Sequence, residues 1–163
     1  MSQEIQVRPT AGEPQTDTQL QQYVTFSLGD EMVGVNILSV KEVTPMIATT
    51  PIHHSPPEVR GYVNIRGQIH LVLDLRHIMG LEPKDPDENS RIVIFKDTVG
   101  ESFGVLIDKI SDVIEVPANQ VEKNLDLNMG DSKLNQGLIY GVCKLEKSLL
   151  VLLDAEQLMV EVA

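Results

Sequence analysis

The sequence predicts a mostly β fold made of two related halves, arranged as small barrels or a sandwich with short helices. Two observations point there. Short β-rich runs alternate with turn signals from Gln22 onward, and three sequence blocks occur twice in the same order. A third observation keeps the fold globular: 42% of residues are hydrophobic and 23% charged, which is an ordinary balance for a packed domain.

Residues 1–20 are polar, carry Pro9 and Pro14 and show no periodicity, so they read as a mobile tail. The run "YVTFSLGDEMVGVNI" reads as a hairpin around Gly29-Asp30. "ILSVKEVTPMIATTPI" continues as an extended or short helical segment closed by Pro45 and Pro51, and "HHSPPEV" is a loop. Two strands follow, "VRGYVNI" and "QIHLVLDL", joined by Arg66-Gly67. Gly67 enters φ > 0 without steric cost, so this is a tight turn that displays a guanidinium. "RHIMGL" resembles one helical turn ending at Gly80.

The charged, proline-containing stretch "LEPKDPDENS" (81–90) is the best internal boundary. Strands resume in "RIVIFKD" and "ESFGVLIDKISDVIEV", and Pro117 to Gln120 reads as a turn or helix start. Residues 122–136 are polar and read as mobile. "GLIYGVCKL" and "SLLVLLDA" form a last hairpin around Glu146-Lys147, before the terminal helix "AEQLMVEVA".

The halves rhyme. "GVNILSVKEV" (34–43) matches "GVLIDKISDV" (104–113) without a gap, "GYVNI" (61–65) resembles "GLIYG" (137–141), and "LVLDL" (71–75) resembles "VLLDA" (151–155). The polar 122–136 stretch accounts for the longer spacing in the second half. Two similar subdomains burying a face against each other are the expectation, split near 81–90. Gly34 and Gly104 suit a close backbone approach within a strand, and Asp74 and Asp154 suit the caps of short helices.

Net charge is −11, and no Lys/Arg cluster exists, which argues against nucleic acid and anionic membrane surfaces. Protein partners or cationic small molecules remain. No apolar run reaches the roughly 18–20 residues of a membrane span. The N-terminus has neither a basic n-region nor an apolar h-region, so the cytoplasm is the expected location. One cysteine, Cys143, excludes an internal disulfide.

Catalytic patterns are absent. His53, His54, His70 and His77 lack metal-ligand spacing, Cys143 lies in an apolar strand, and no nucleophile elbow or phosphate loop occurs. The expectation is no enzyme, no cofactor and no metal. What remains is a charge displayed on an apolar frame. Arg66 is either a solvated turn residue or a fork for a partner's carboxylate, and Glu42 beside Val40 carries the same ambiguity.

The runs "FSLGDEMVGVNILSVKEV", "IHHSPPEVRGYVNIRGQIHLVLDLRHIMGL", "FGVLIDKISDVIEV" and "GLIYGVCKLEKSLLVLLDAEQLM" resemble the CheW domain of bacterial chemotaxis coupling proteins. The likeness runs from about Gln22 to Val160. Its most specific part is "NIRGQIHLVLDLR", where Leu71 stands in place of the family's usual Pro. The resemblance implies two SH3-like five-stranded β-barrels on a shared hydrophobic core within 21–163, and a C-terminal helix. It implies a non-catalytic adaptor that links the cytoplasmic tip of methyl-accepting chemoreceptors to the regulatory domain of a CheA-type histidine kinase. Carried over by position, the coupling residues would be Val40, Glu42, Gly61 and Arg66, with an apolar groove near Val40 and Gly61 for a receptor hairpin. Aliphatics around Ile110 and Ile114 would face the kinase. A CheW-like adaptor of a surface-motility or developmental pathway is the rival within this class, and a His-based metalloprotein the rival outside it.

Overall fold

The computed structural model describes residues 19–97, 102–123 and 138–162. The N-terminal tail up to residue 18 and most of the polar 122–136 stretch lie outside the described residues.

Among the described residues, eleven strands form two sheets, accompanied by two short α-helices. In chain order the first five strands are β1 (Leu20–Leu28), β2 (Glu31–Asn36), β3 (Val40–Pro45), β4 (Val59–Ile65) and β5 (Gln68–Asp74), followed by α1 (Leu75–Ile78). Then come β6 (Arg91–Phe95), β7 (Phe103–Ile107), β8 (Lys109–Pro117), β9 (Val121–Glu122), β10 (Ile139–Lys144), β11 (Leu149–Leu153) and α2 (Ala155–Val162). One sheet has the order β8-β1-β2-β11-β10-β9 and the other β3-β6-β7-β5-β4. The chain is mostly β with two SH3-like sheets, as the sequence predicts; the two-residue β9 makes one of them six-stranded.

The two halves exchange strands. If β1 to β5 are laid on β6, β7, β8, β10 and β11, the two strand orders become the same at all five positions. Each sheet therefore holds the first two strands of one repeat and the last three of the other. The parallel pairs agree in register: Gly34 lies opposite Leu152, and Gly104 opposite Val72. The expected boundary at 81–90 does not separate the sheets, because α1 before it and β6 after it both belong with the five-stranded sheet. The chain changes sheet at 37–39 and at Asp108 instead. Similar blocks show which segments are alike, but not which partner each strand takes.

Register also corrects one pair of blocks. Gly61 pairs with Val72 just after a bulge, and Gly141 pairs with Leu152 just after a bulge. The counterpart of "GYVNI" is thus "GVCKL" from Gly141, not "GLIYG", and Arg66-Gly67 corresponds to Glu146-Lys147.

Packing explains the composition of the strands. β7 is buried at every residue and β11 at four of five, because each faces its own barrel and the common core. Val63, Ile65, Val72, Ile92, Ile94 and Leu106 fill the five-stranded barrel. Tyr23, Val116, Cys143, Leu150 and Leu152 fill the six-stranded one. Between them lies a cluster including Phe26, Leu73, Phe95, Phe103 and Leu158, in which Phe95 and Phe103 stack at 4.9 Å. Each large side chain buried there contributes about 1.5–3 kcal/mol.

Both aspartates cap helices. Asp74 Oδ1 accepts from His77 N at 3.4 Å, and Asp154 Oδ1 accepts from Glu156 N at 3.1 Å. At one crossover an ionic clasp binds the halves together. Arg76 donates to Asp108 at 2.9 and 2.6 Å and to the Glu82 carbonyl at 2.6 Å, while Gly29 N donates to Asp108 at 2.7 Å. Burial alone would raise the Asp108 carboxyl. The bonds from Arg76 and Gly29 outweigh it and hold the group below its ordinary value.

Candidate functional site

Arg66 and Gly67 both take positive φ, 52° and 84°, which is the left-handed turn geometry that matches strand twist in a hairpin. Gly67 does this freely, and its N–H donates to Asn64 Oδ1 at 2.9 Å. Arg66 does it against its Cβ, at a cost of about 1 kcal/mol. Its side chain is 74% exposed, and Nη2 donates to Glu42 Oε1. Nearby, Lys41 Nζ reaches Gln68 Oε1 at 3.3 Å. These contacts join β3, one edge of the five-stranded sheet, to the hairpin at its other edge. Arg66 and Glu42, nominated separately from the sequence, meet here.

Gly61 has φ +133° and is buried. A Cβ there would lie 2.7 Å from the Thr50 carbonyl carbon and 3.1 Å from Pro51 Cα. Thr50 forms a bridge with Tyr62, N–H to carbonyl in both directions, at 2.7 and 2.9 Å. The glycine therefore faces this chain's own backbone rather than an open groove. Its steric constraint is internal, and the expected groove at Gly61 is covered by Thr50 and Pro51.

Val40 opens β3 opposite Phe95 and packs half-buried on the common core. Its counterpart Ile110 does the same opposite Phe26, and Ile114 packs into the six-stranded barrel. Both isoleucines face inward, contrary to the expectation of exposed aliphatics. The outward positions are Val43, 37% exposed, and Val113, 49% exposed. Inward positions fall at even numbers on both strands (Val40, Glu42 and Thr44; Ile110, Ile114 and Val116), so alternation from Val40 and Ile110 places Val43 and Val113 outward. Tyr62, Ile69 and Leu149 are exposed as well, and simple alternation of each hairpin strand would have found the first two.

Beneath the Arg66–Glu42 pair runs β5, whose His70 is buried opposite Val63 with Nδ1 unpartnered among the described residues. Burial, and then the Lys41 charge, push its pKa below the ordinary 6.5, so it is neutral at pH 7. Burial pushes the Cys143 thiol up, away from thiolate chemistry. His53 and His54 lie ring to ring at 3.9 Å, and His77 Nε2 lies 3.9 Å from Glu58. Among the described residues no three His, Cys, Asp or Glu side chains converge as a metal site would require. No helix of the described residues is long and apolar enough to cross a membrane.

With this geometry in place, the CheW-like domain model matches residues 22–163. The chain belongs to the CheW-like family. Among curated CheW relatives, a probable chemotaxis protein CheW of Rhizobium etli is 28% identical over 85% of this chain and 86% of its own. The chemotaxis protein CheW of Helicobacter pylori is 26% identical over 96% and 92%. The crystal structure of the scaffolding protein TtCheW from Thermoanaerobacter tengcongensis superposes with TM-score 0.73 at 25% identity, covering 83% of this chain and 90% of that one. In this CheW-like chain, the signature "NIRGQIHLVLDLR" is thus the β4–β5 hairpin, the capping aspartate and the clasp arginine in succession.

Proposed function

We propose that this CheW-like protein is a non-catalytic scaffold of chemotaxis, coupling the cytoplasmic tip of chemoreceptors to the regulatory domain of a CheA-type histidine kinase. One observation carries the reading: Arg66 is held in a left-handed turn that costs backbone energy, with its guanidinium mostly exposed. A turn serving only to join β4 and β5 would favour Asn-Gly. A strained, displayed fork paired to a carboxylate on a rigid barrel suits recognition of a partner, with Glu42 fixing register beside it. Val43 and Val113, rather than Ile110 and Ile114, supply the outward aliphatics of β3 and β8. The kinase's regulatory domain would meet one barrel edge and the receptor tip another, and the protein would work in the cytoplasm against membrane-borne receptors.

Titration calorimetry of this protein into the regulatory domain of its kinase, with Arg66→Ala in parallel, tests the proposal. Wild type is expected to bind. The variant is expected to lose about tenfold in either kinase binding or receptor co-sedimentation, which corresponds to roughly 1.4 kcal/mol. Absence of wild-type binding to both partners would overturn the adaptor reading.

A further inference from the structure

The strand exchange gives each barrel a mouth at matched positions, and the two mouths differ. In the five-stranded barrel the mouth is filled by side-chain ion pairs. Asp74 lies 3.8 Å from Arg60 Nη1, and Asp108 is held by Arg76. The counterparts follow from register: Asp154 for Asp74, Glu156 for Arg76, Leu38 for Asp108, and Tyr140 for Arg60. All four line one pocket of about 420 Å³ in the six-stranded barrel, together with Tyr23 and Lys123. Both arginines of the filled mouth are missing from the open one. Its carboxylates form no ion pair among the described residues.

We infer that this pocket receives an arginine side chain presented by a protein partner. The partner's guanidinium takes the place that Arg76 and Arg60 fill in the other mouth. Charge complementarity supports it, because Asp154 keeps the carboxylate that faces Arg60 in the other mouth, and Glu156 sets a second carboxylate at the position where Arg76 stands there. The walls suit the rest of the side chain. Tyr140 is 44% exposed and offers a ring face for stacking, and Leu38, 71% exposed at the crossover, covers an aliphatic stem. Lys123 Nζ already lies 4.6 Å from the centre of the Tyr140 ring, so this wall accepts a cation. A planar fork can stack on the ring and bond a carboxylate together, which an ammonium cannot. The volume falls in the ordinary range for a side-chain or ligand pocket. The exposed Leu38 among its lining residues favours a side chain carried on a protein surface over a free amino acid.

The test is a backbone amide NMR titration of the full chain with N-acetyl-arginine-N-methylamide, alongside the lysine and norleucine analogues and free arginine. Shifts centred on Leu38, Tyr140 and Glu156 are expected, saturating at roughly millimolar concentration as a single anchor side chain should. The lysine analogue should bind roughly threefold more weakly, and norleucine should not saturate. Glu156→Gln should weaken the arginine probe by roughly threefold. The double variant Leu38→Asp with Glu156→Arg rebuilds the clasp of the other mouth and should abolish binding while the amide spectrum stays folded. Non-saturating shifts, equal response to norleucine, or insensitivity to Glu156→Gln would overturn the inference. Tighter binding of free arginine than of the blocked probe would overturn the protein partner in favour of a small molecule. The outcome is independent of kinase or receptor binding, so its failure leaves the adaptor reading standing.

Discussion

The two barrels share their strand order, their parallel register and their bulge positions, yet differ at three matched places. One hairpin turns through Arg66-Gly67 with positive φ, while the other turns through Glu146-Lys147 without it, closed by Leu145 N–H donating to the Ser148 carbonyl at 2.8 Å. One bulge glycine lies under the single bridge at Thr50, the other under the short strand β9. One mouth is filled with ion pairs and the other is a pocket. The likeness lies in residues that point into the barrels or the common core, where volume and apolarity are required. The differences lie at turns and mouths, where side chains meet water or another molecule. In a chain that repeats itself, comparing matched positions separates what the scaffold needs from what is available for binding.

The largest contrast concerns the bulge glycines. Gly61→Ala meets backbone at Thr50 and must also hold φ near +133°, so no side-chain rotation relieves it. A loss of about 3 kcal/mol or more is expected. At Gly141 a Cβ would lie 2.7 Å from Val121 Cγ1 and 2.9 Å from the Glu122 carbonyl, both on a two-residue edge strand that can shift. Gly141→Ala should cost about 1–2 kcal/mol. Urea denaturation midpoints of the two variants decide it: equal losses, or the reverse order, would break the equivalence drawn from register.

How much of this was legible in the sequence depends on the scale. Alternating apolar runs and turn residues gave the β class, and the doubled Asp74 and Asp154 gave the helix caps, because both signals are local. Strand exchange was hidden, since the resemblance of 34–43 to 104–113 is silent on partners. Sequence likeness pairs Gly61 with Gly137 rather than Gly141, because a bulge is fixed by pairing, not by spacing. Ile110 and Ile114 share the inward phase of Val116 on β8, a local signal that alternation does carry. Arg66 and Glu42 were each nominated, but only the closure of the sheet brings residues 24 apart in sequence together. The open mouth, lined from Gln21 to Glu156, leaves no mark on any single stretch of sequence.

The mouths give the next contrast. Arg76→Met would leave Asp108 enclosed with little beyond the Gly29 amide to hold its charge. A cost of about 3 kcal/mol is expected at neutral pH. The sign with pH follows from the lowered pKa of Asp108. Its stabilisation is present above the ordinary carboxylate value of 3.8 and is lost as pH falls through the lower folded value. Wild type should therefore lose more stability than Arg76→Met on acidification below that point, and the gap between their thermal midpoints should narrow. Glu156→Gln, at the matched position, should stay within about 0.5 kcal/mol of wild type. A Glu156→Gln loss comparable to that of Arg76→Met would mean the open mouth is braced by ions after all.

The smallest stability effect belongs to the turn, and it is the most informative about function. Arg66→Asn removes the contact with Glu42, worth at most about 1 kcal/mol for so exposed a pair. It also places a residue that tolerates the left-handed region where Arg does so at a cost, returning a similar amount. The two changes offset, so the denaturation midpoint should move by no more than about 0.5 kcal/mol in either direction. Capture of the kinase domain or of receptors should still fall about tenfold, the same loss expected for Arg66→Ala. Stability kept and capture lost would mean that the strained turn holds Arg66 for a partner. Stability lost, with Glu42→Gln losing as much, would mean that the pair closes the seam between β3 and the β4–β5 hairpin, and that recognition has to be sought elsewhere on the barrel.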